Sequence, residues 1–366
     1  MLKEITIKGK TLSFPTFFPD ATRGVVRNLD QRDVKEAGIE GMVVNTYHLM
    51  TDPGGSVLRK AGGLKAFMNW DGFFISDSGG FQVFSIIQNN KAFGSIDDKG
   101  VTFKEKGKSI RFTPEKSIKM QFDIGADIMI CFDECPSPNA TVDEVKAAVD
   151  HTIQWAKKCR IEFDSQIKQR GLDETNRPLL FGVVQGGDSY AERERCTLEL
   201  EKIGFDGYGF GGWPLDNDRN VNYETLKMTA ELMPDDKPKY ALGLGNPEAV
   251  MRCREFGYDI FDCVLPTRDA RHQRLYNFQL DPSDNDMFNV PKVVEYLYIK
   301  ENKYRRDKAP ISKYCECRAC KEYSRSYIHH LFNVGDNSAL RLATIHNLRY
   351  YSDLTQYLRV SEKQHS

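Results

Sequence analysis

Eight short apolar runs, each ending in small or polar residues and each followed by helical patterning, constrain this chain more than any other feature. They are Phe17–Asp20, Gly41–Leu49, Phe73–Gly80, Ala126–Glu134, Leu179–Gly187, Gly207–Leu215, Lys239–Asn246 and Ile260–Arg268. Near-continuous apolar runs suit strands buried on both faces, as in a parallel sheet covered by helices. The segments between them carry helix starts. Thr113-Pro114-Glu115 offers an N-cap, a proline in the first turn and an early acid; Thr141 precedes the periodic run Val142–Arg160; Asn246-Pro247-Glu248 repeats the logic before Ala249–Phe256. This alternation predicts an α/β chain, a (β/α)8 or TIM barrel, and 366 residues fit one such barrel with insertions. A doubly wound open sheet is the alternative arrangement of the same elements.

Two regions interrupt the alternation. Within 88–113, Val101–Lys104 and Ser109–Phe112 around Gly107 read as a hairpin inserted after the third strand. Residues 274–350 follow the eighth strand and contain a cysteine cluster, and the last helical stretch then closes the barrel. The predicted organisation is one barrel over 1–366 with a metal-binding subdomain, 274–350, inserted near the C-terminal end.

A formal net charge of -1 excludes a globally basic surface, so any polyanion site has to be a local patch. One stands out: over 292–321, nine basic residues from Lys292 to Lys321 face only Glu295, Glu301, Asp307 and Glu316, which suits phosphate contacts or a solvated surface. No run of eighteen apolar residues is present, and Met1-Leu2-Lys3-Glu4-Ile5 lacks the order of a signal peptide. The expectation is a cytoplasmic protein with no membrane span. Nine cysteines, six of them dispersed, do not form a secreted disulfide framework. The other three, Cys315-x-Cys317-x2-Cys320, sit within six residues and predict a closed Cys3His zinc site of structural type, one Zn2+ per chain. The fourth ligand is open among His329, His330 and His346.

Barrel enzymes place chemistry at the carboxyl ends of their strands. Here those ends read Asp77-Ser78-Gly79-Gly80, Asp133-Glu134-Cys135, Gln185-Gly186-Gly187, Gly211-Gly212 and Asp262. Asp77 and Asp262 are candidates for glycosidic chemistry, in which one carboxylate attacks an anomeric carbon while another handles a proton. Asp262 lies in the apolar run Ile260–Leu265; the alternative is a structural aspartate capping a loop or pairing with Arg268. Asp133, Gln185 and the Gly211-Gly212 backbone form a set able to read a guanine-like edge, and Phe81 is a stacking surface or core.

In order along the chain, Asn45-Thr46-Tyr47-His48-Leu49, Ser76–Ser85, Phe132–Pro136, Gln185-Gly186-Gly187, Phe261–Arg268 and the cysteine cluster with His346-Asn347 resemble the tRNA-guanine transglycosylase family, from about Phe14 to Tyr350. The resemblance implies a pentosyltransferase that replaces guanine at the anticodon wobble position of tRNA with a 7-deazaguanine, queuine or a queuosine precursor, through a covalent aspartyl–ribosyl intermediate. It implies Asp262 as nucleophile and Asp77 as general acid/base. Asp133, Gln185 and Gly212 then bind the base, Phe81 and Leu242 sandwich it, Arg268 and Arg271 contact flanking nucleotides, and His346 is the fourth zinc ligand. Bacterial members act as homodimers, which is the expectation here. Related alternatives are a paralogue acting on DNA, a non-catalytic partner subunit and a zinc-stapled glycoside hydrolase.

Two departures stand out. Gly211-Gly212-Trp213-Pro214-Leu215-Asp216-Asn217 stands where bacterial members have a run ending in glutamate, the partner of a cationic aminomethyl group. Asn217 aligns with that glutamate, Asp216 is a neighbouring carboxylate, and Trp213 forms part of a reshaped wall, so a weaker preference for the aminomethyl base is expected. Asp269-Ala270-Arg271 replaces Asn-Ala-Arg, which places an added carboxylate towards the nucleic acid.

Overall fold

A computed structural model describes residues 1–89, 94–105, 107–215, 218, 220–281 and 292–365. The eight expected strands form: β1 (Thr16–Pro19), β2 (Gly41–Asn45), β3 (Phe73–Asp77), β4 (Ile128–Ile130), β5 (Leu179–Val184), β6 (Gly207–Phe210), β7 (Lys239–Ala241) and β8 (Ile260–Cys263). They lie in the order β1-β8-β7-β6-β5-β4-β3-β2, all parallel. A parallel bridge between Asp20 and Val43, with the Ala21 amide donating to the Val43 carbonyl at 2.7 Å, closes the sheet into a barrel.

The period-two rule for strands explains what fills it. Phe18, Val43, Ile75, Ile130, Val183, Tyr240 and Ile260 pack together inside, one apolar layer across the sheet. Two residues further along, the positions in phase with these are Asp20, Asn45, Asp77, Phe132, Gln185, Leu242 and Asp262; Phe132 is buried, and on that strand Asp133 reaches the cavity instead. The same alternation that builds the core therefore delivers a mostly polar ring at the carboxyl end. A hairpin not expected from the sequence, Glu4–Ile7 and Lys10–Ser13, covers the opposite end, and Ile7, Leu12 and Phe14 join the interior cluster.

The helix starts behave as expected. Thr113 caps Pro114–Ile124, Thr141 and Glu144 make a capping box for a helix that runs to Arg170, and Asn246 caps Pro247–Glu255. Two apolar runs prove to be strand plus helix. Gly41–Leu49 stops being strand at Asn45, which caps the helix Thr46–Thr51; Ile260–Arg268 stops at Cys263 and turns into the helix Leu265–Arg271. Both halves of each run contribute buried residues, so hydropathy does not mark the turn. The insertion after β3 is a three-stranded antiparallel sheet, Gly94–Asp97, Gly100–Glu105 and Lys108–Phe112; residues 90–93 and 106 lie outside the described residues.

After β8 comes a second hairpin, Arg274–Phe278 with Val294–Tyr298, then the cysteine segment, then the helices Arg325–Val334 and Asn337–His365. The last helix is the eighth of the barrel. Tyr351 stacks on Phe17 at 4.0 Å, Arg359 donates to the Ser13 and Pro15 carbonyls, and Glu362 accepts from the buried Arg254. Among the described residues no helix is long and apolar enough to cross a membrane.

Candidate active site and metal centre

The polar ring opens into a cavity of about 350 Å³ whose walls include Asp77, Asp133, Gln185, Gly212 and Asp262. The floor is the apolar layer: Val43, Ile130, Val183 and Tyr240 all face it.

Asp262 is held by one oxygen. Tyr240 Oη and the Gly243 amide both donate to Oδ1 at 2.7 Å, and Oδ2 accepts no hydrogen bond from the described residues. The alternative pairing with Arg268 is absent, so the acid is fixed on one side and presents a free oxygen on the other. Burial, with Asp77 and Asp20 nearby, pushes its carboxyl up to about 7 against the two donors. Asp77 is oriented by Asn45. The Asn45 Oδ1 caps its helix by accepting from the His48 amide, which turns Nδ2 towards Asp77 Oδ2 at 2.9 Å. Burial raises the Asp77 carboxyl, opposed by hydrogen bonds from Gln82, Ser78 and Asn45.

Asp133 accepts from Gln185 Nε2 at 2.7 Å and is pushed up to about 7, by burial first and by the charge of Asp77. That contact leaves Gln185 Oε1 buried without a hydrogen-bond partner, and an acceptor in that state calls for a ligand N–H. Gly211 is required because a Cβ there would stand 2.5 Å from Gln185 Nε2. Gly212 has φ of +121°, a conformation that side chains resist, and no hydrogen bond from its amide reaches any described residue. Phe81, Trp213 and Leu242 line the same cavity; the Phe81 and Trp213 rings meet edge-on at 5.2 Å, and Trp213 Nε1 donates to the Pro136 carbonyl. Asp216 and Asn217 lie outside the described residues.

Three carboxyls raised by burial thus share one pocket, and the two raised to about 7, Asp133 and Asp262, are balanced between acid and carboxylate near neutrality. One group can hold a proton while its neighbour is charged, the arrangement that paired acid and nucleophile chemistry needs.

Beside the cavity, Arg268 and Arg271 lie on the helix that follows β8. Arg271 Nη1 is buried with no hydrogen-bond partner, and burial together with the charge of Arg27 lowers its protonation range. The expected carboxylate near the nucleic acid is a correction: Asp269 is buried, accepts from Arg274 Nε at 3.0 Å and Nη2 at 2.6 Å and from the Tyr276 hydroxyl, and faces inwards. The basic stretch 292–321 is partly neutralised, with Lys303 on Glu301, Lys321 on Glu316 and Arg318 on Asp33.

The cysteine cluster assembles. Cys315, Cys317, Cys320 and His346 are all buried with their ligand atoms within 4.8 Å of one another, and His346 Nδ1 stands 3.3 Å from Cys320 Sγ and 3.7 Å from Cys317 Sγ. His346 Nε2 donates to the Tyr276 carbonyl at 2.6 Å, which fixes the tautomer with Nδ1 towards the thiols, the support a ligating imidazole needs. Of the three candidate histidines, only His346 stands with the cysteines: His329 is engaged by the Ile299 carbonyl and Asn333, and His330 is exposed. Three thiols and one imidazole in a buried, closed set are a donor set that can hold a metal ion.

Sequence reasoning missed the residues that hold these groups: Tyr240 and Gly243 for Asp262, and Asn45 for Asp77. A tyrosine in the short apolar strand Lys239–Ala241 was a signal for the first.

The fold and site define a parallel (β/α)8 barrel with a cluster of carboxyls in the cavity at its mouth and a separate Cys3His cluster able to hold a metal ion. A family model described as queuine tRNA-ribosyltransferase matches residues 2–365. The queuine tRNA-ribosyltransferases of Staphylococcus aureus strains bovine RF122 / ET3-1 and JH9 are each 37% identical over 350 residues, 94% of this chain and 84% of the relative. The chain belongs to the queuine tRNA-ribosyltransferase family, and so to the enzymes that transfer glycosyl groups.

Proposed function

We propose that the chain exchanges guanine in tRNA for a 7-deazaguanine by two displacements at one ribose carbon. Asp262 Oδ2 attacks C1′ of the target guanosine, the C1′–N9 bond breaks, and its electron pair leaves on guanine. Asp77, in its protonated form, supplies the proton to the departing base. The incoming base then loses its N9 proton to Asp77 and attacks C1′, which releases the Asp262 carboxylate. Two inversions give retention. Asp133, Gln185 and the Gly212 amide read the base edge, Phe81, Leu242 and Trp213 enclose it, and Arg268 and Arg271 meet the flanking nucleotides.

The single observation that carries this reading is the one-sided anchoring of Asp262: both donors take Oδ1, so the other oxygen is oriented for attack. Zinc is the metal proposed for Cys315, Cys317, Cys320 and His346, where it would tie the subdomain 274–350 to the barrel through the last helix and take no part in the chemistry. The enzyme is proposed to work in the cytoplasm as a homodimer. With Asn217 in place of a glutamate, neutral 7-deazaguanines are proposed to lose less than the aminomethyl base does. The test loads tRNA with radiolabelled guanine and adds guanine, queuine and the nitrile and aminomethyl 7-deazaguanines in turn. Release of label from tRNA with retained RNA length is the expected result. No release with any base, or release from a DNA substrate alone, contradicts the reading.

A further inference from the structure

Arg193 is the most deeply buried charged side chain next to the cavity, 1% exposed, and its hydrogen bonds among the described residues all go to backbone carbonyls rather than to a carboxylate. Burial lowers its protonation range only to about 10, so it is a cation at neutral pH. A buried unpaired charge costs several kcal/mol unless the site uses it. Its donors are spent on backbone: Nε on the Gly187 carbonyl at 2.7 Å, Nη1 on Val184 at 3.1 Å and Nη2 on Gly211 at 3.1 Å, while the guanidinium lies 4.7 Å over the Phe210 ring. One cation thus ties the ends of β5 and β6 to the loop between them.

The third bond has a consequence for the site. In a trans peptide the carbonyl and the following N–H point in opposite directions. The Gly211 carbonyl is held outwards by Arg193, so the Gly212 N–H of the same peptide is turned the other way, towards the cavity that Gly212 lines. We propose that Arg193 is a positioning residue that aims and polarises the Gly212 amide at the carbonyl oxygen of the bound base. A guanidinium on the carbonyl side strengthens the N–H as a donor, and it does so most when the departing guanine carries the electron pair of the broken bond. This rests on the reading that Gly212 meets the base carbonyl.

The test compares guanine, 6-thioguanine and hypoxanthine as incoming bases for wild type, Arg193→Met and Arg193→Lys. 6-Thioguanine replaces the carbonyl acceptor with a weak thione acceptor and keeps the amino group; hypoxanthine keeps the carbonyl and removes the amino group, on the side assigned to Asp133. Wild type is expected to prefer guanine over 6-thioguanine about fivefold or more, the worth of one neutral hydrogen bond. Arg193→Met should erase that preference and lower kcat about tenfold. It should leave the guanine-over-hypoxanthine preference and the KM for tRNA within about twofold. Arg193→Lys should fall between. General damage to the pocket would move both preferences together. If wild type shows no preference for guanine over 6-thioguanine, the carbonyl reading fails and the proposal with it. If wild type shows it and either folded variant keeps it in full, the role of Arg193 alone is overturned. A measurement on unmutated protein stands beside these: the glycine-labelled Gly212 amide resonance should move downfield with guanine and less with 6-thioguanine, and a resonance that guanine leaves in place contradicts the proposal.

Discussion

Two aspartates of this protein, one buried and one half-buried at the cavity, are treated in opposite ways. Asp33, beside the cysteine segment, accepts from Arg341 Nε at 2.7 Å and Nη2 at 2.9 Å and from Arg318 Nη2 at 2.7 Å, and also completes the capping box of its helix. Burial is the largest influence on it and raises its carboxyl, yet the hydrogen bonds of the two guanidiniums prevail and hold it below the ordinary range. Asp262, at the barrel mouth, has a tyrosine and an amide on one oxygen and no cation, and burial prevails instead. Where a carboxylate is buried to join elements, its lone pairs are filled. Where it is proposed to react, one oxygen is left open and burial works against its charge. Gln185 Oε1 and the Gly212 amide follow the second pattern in the same cavity.

The largest effect expected on the structural side is loss of the metal. Structural zinc in Cys/His sites contributes roughly 10 kcal/mol of apparent binding free energy to the fold around it. Cys317→Ala should take the zinc content from about one per chain to near zero and unfold the cysteine segment while the barrel survives. Metal analysis with limited proteolysis checks this, and full zinc occupancy in both Cys317→Ala and His346→Ala contradicts it.

On the reactive side, Asp262→Asn should lower the exchange rate by about 10⁴-fold or more, as loss of a covalent nucleophile does. Its melting temperature should be at or above that of the wild type, because the charge the site disfavours is gone. Asp33→Asn should do the reverse, lowering stability by roughly 2 kcal/mol, since two guanidiniums lose their counter-charge, while activity per folded molecule stays near wild type. A paired rate and melting measurement on the two variants breaks the contrast if both lose the same property.

The smallest effect is in pH. Asp133 and Asp262, raised to about 7, contribute stability that is present below about 4, the unfolded value, and is lost as pH rises through 7. Asp33, held low, contributes stability that is present above about 4 and is lost as pH falls through its folded value. Melting curves from pH 2 to 8 should therefore show Asp133→Asn gaining on wild type as pH rises from about 4 to about 7, by roughly 1 kcal/mol after solvent screening, and Asp33→Asn closing its deficit as pH falls below about 4. Parallel pH profiles for the two variants would remove the distinction.

The part of this contrast that was legible in the sequence is the part written in one strand or one short spacing. Asp262 showed because its neighbours Ile260, Phe261 and Cys263 are apolar, and the metal ligands Cys315, Cys317 and Cys320 showed because six residues hold all three. What holds a group in place was hidden. Tyr240 reaches Asp262 from the neighbouring strand, Asn45 reaches Asp77, and Arg193 reaches Gly211 from the start of a helix; each pairing depends on barrel register, which hydropathy does not encode. Asp269 shows the reverse error. Beside Arg268 and Arg271 it read as surface charge, but helical periodicity turns it to the opposite side, onto Arg274 and Tyr276.

The covalent step through Asp262 is the one to test first. Wild-type protein incubated with tRNA and no competing base, then denatured, should carry an RNA adduct visible as a shifted band, and digestion with mass spectrometry should place the ribosyl ester on the peptide containing Asp262. The adduct should vanish on adding guanine and be absent from Asp262→Asn. An adduct mapped to another residue, or full exchange activity in Asp262→Asn, would contradict the assignment of Asp262 as the nucleophile.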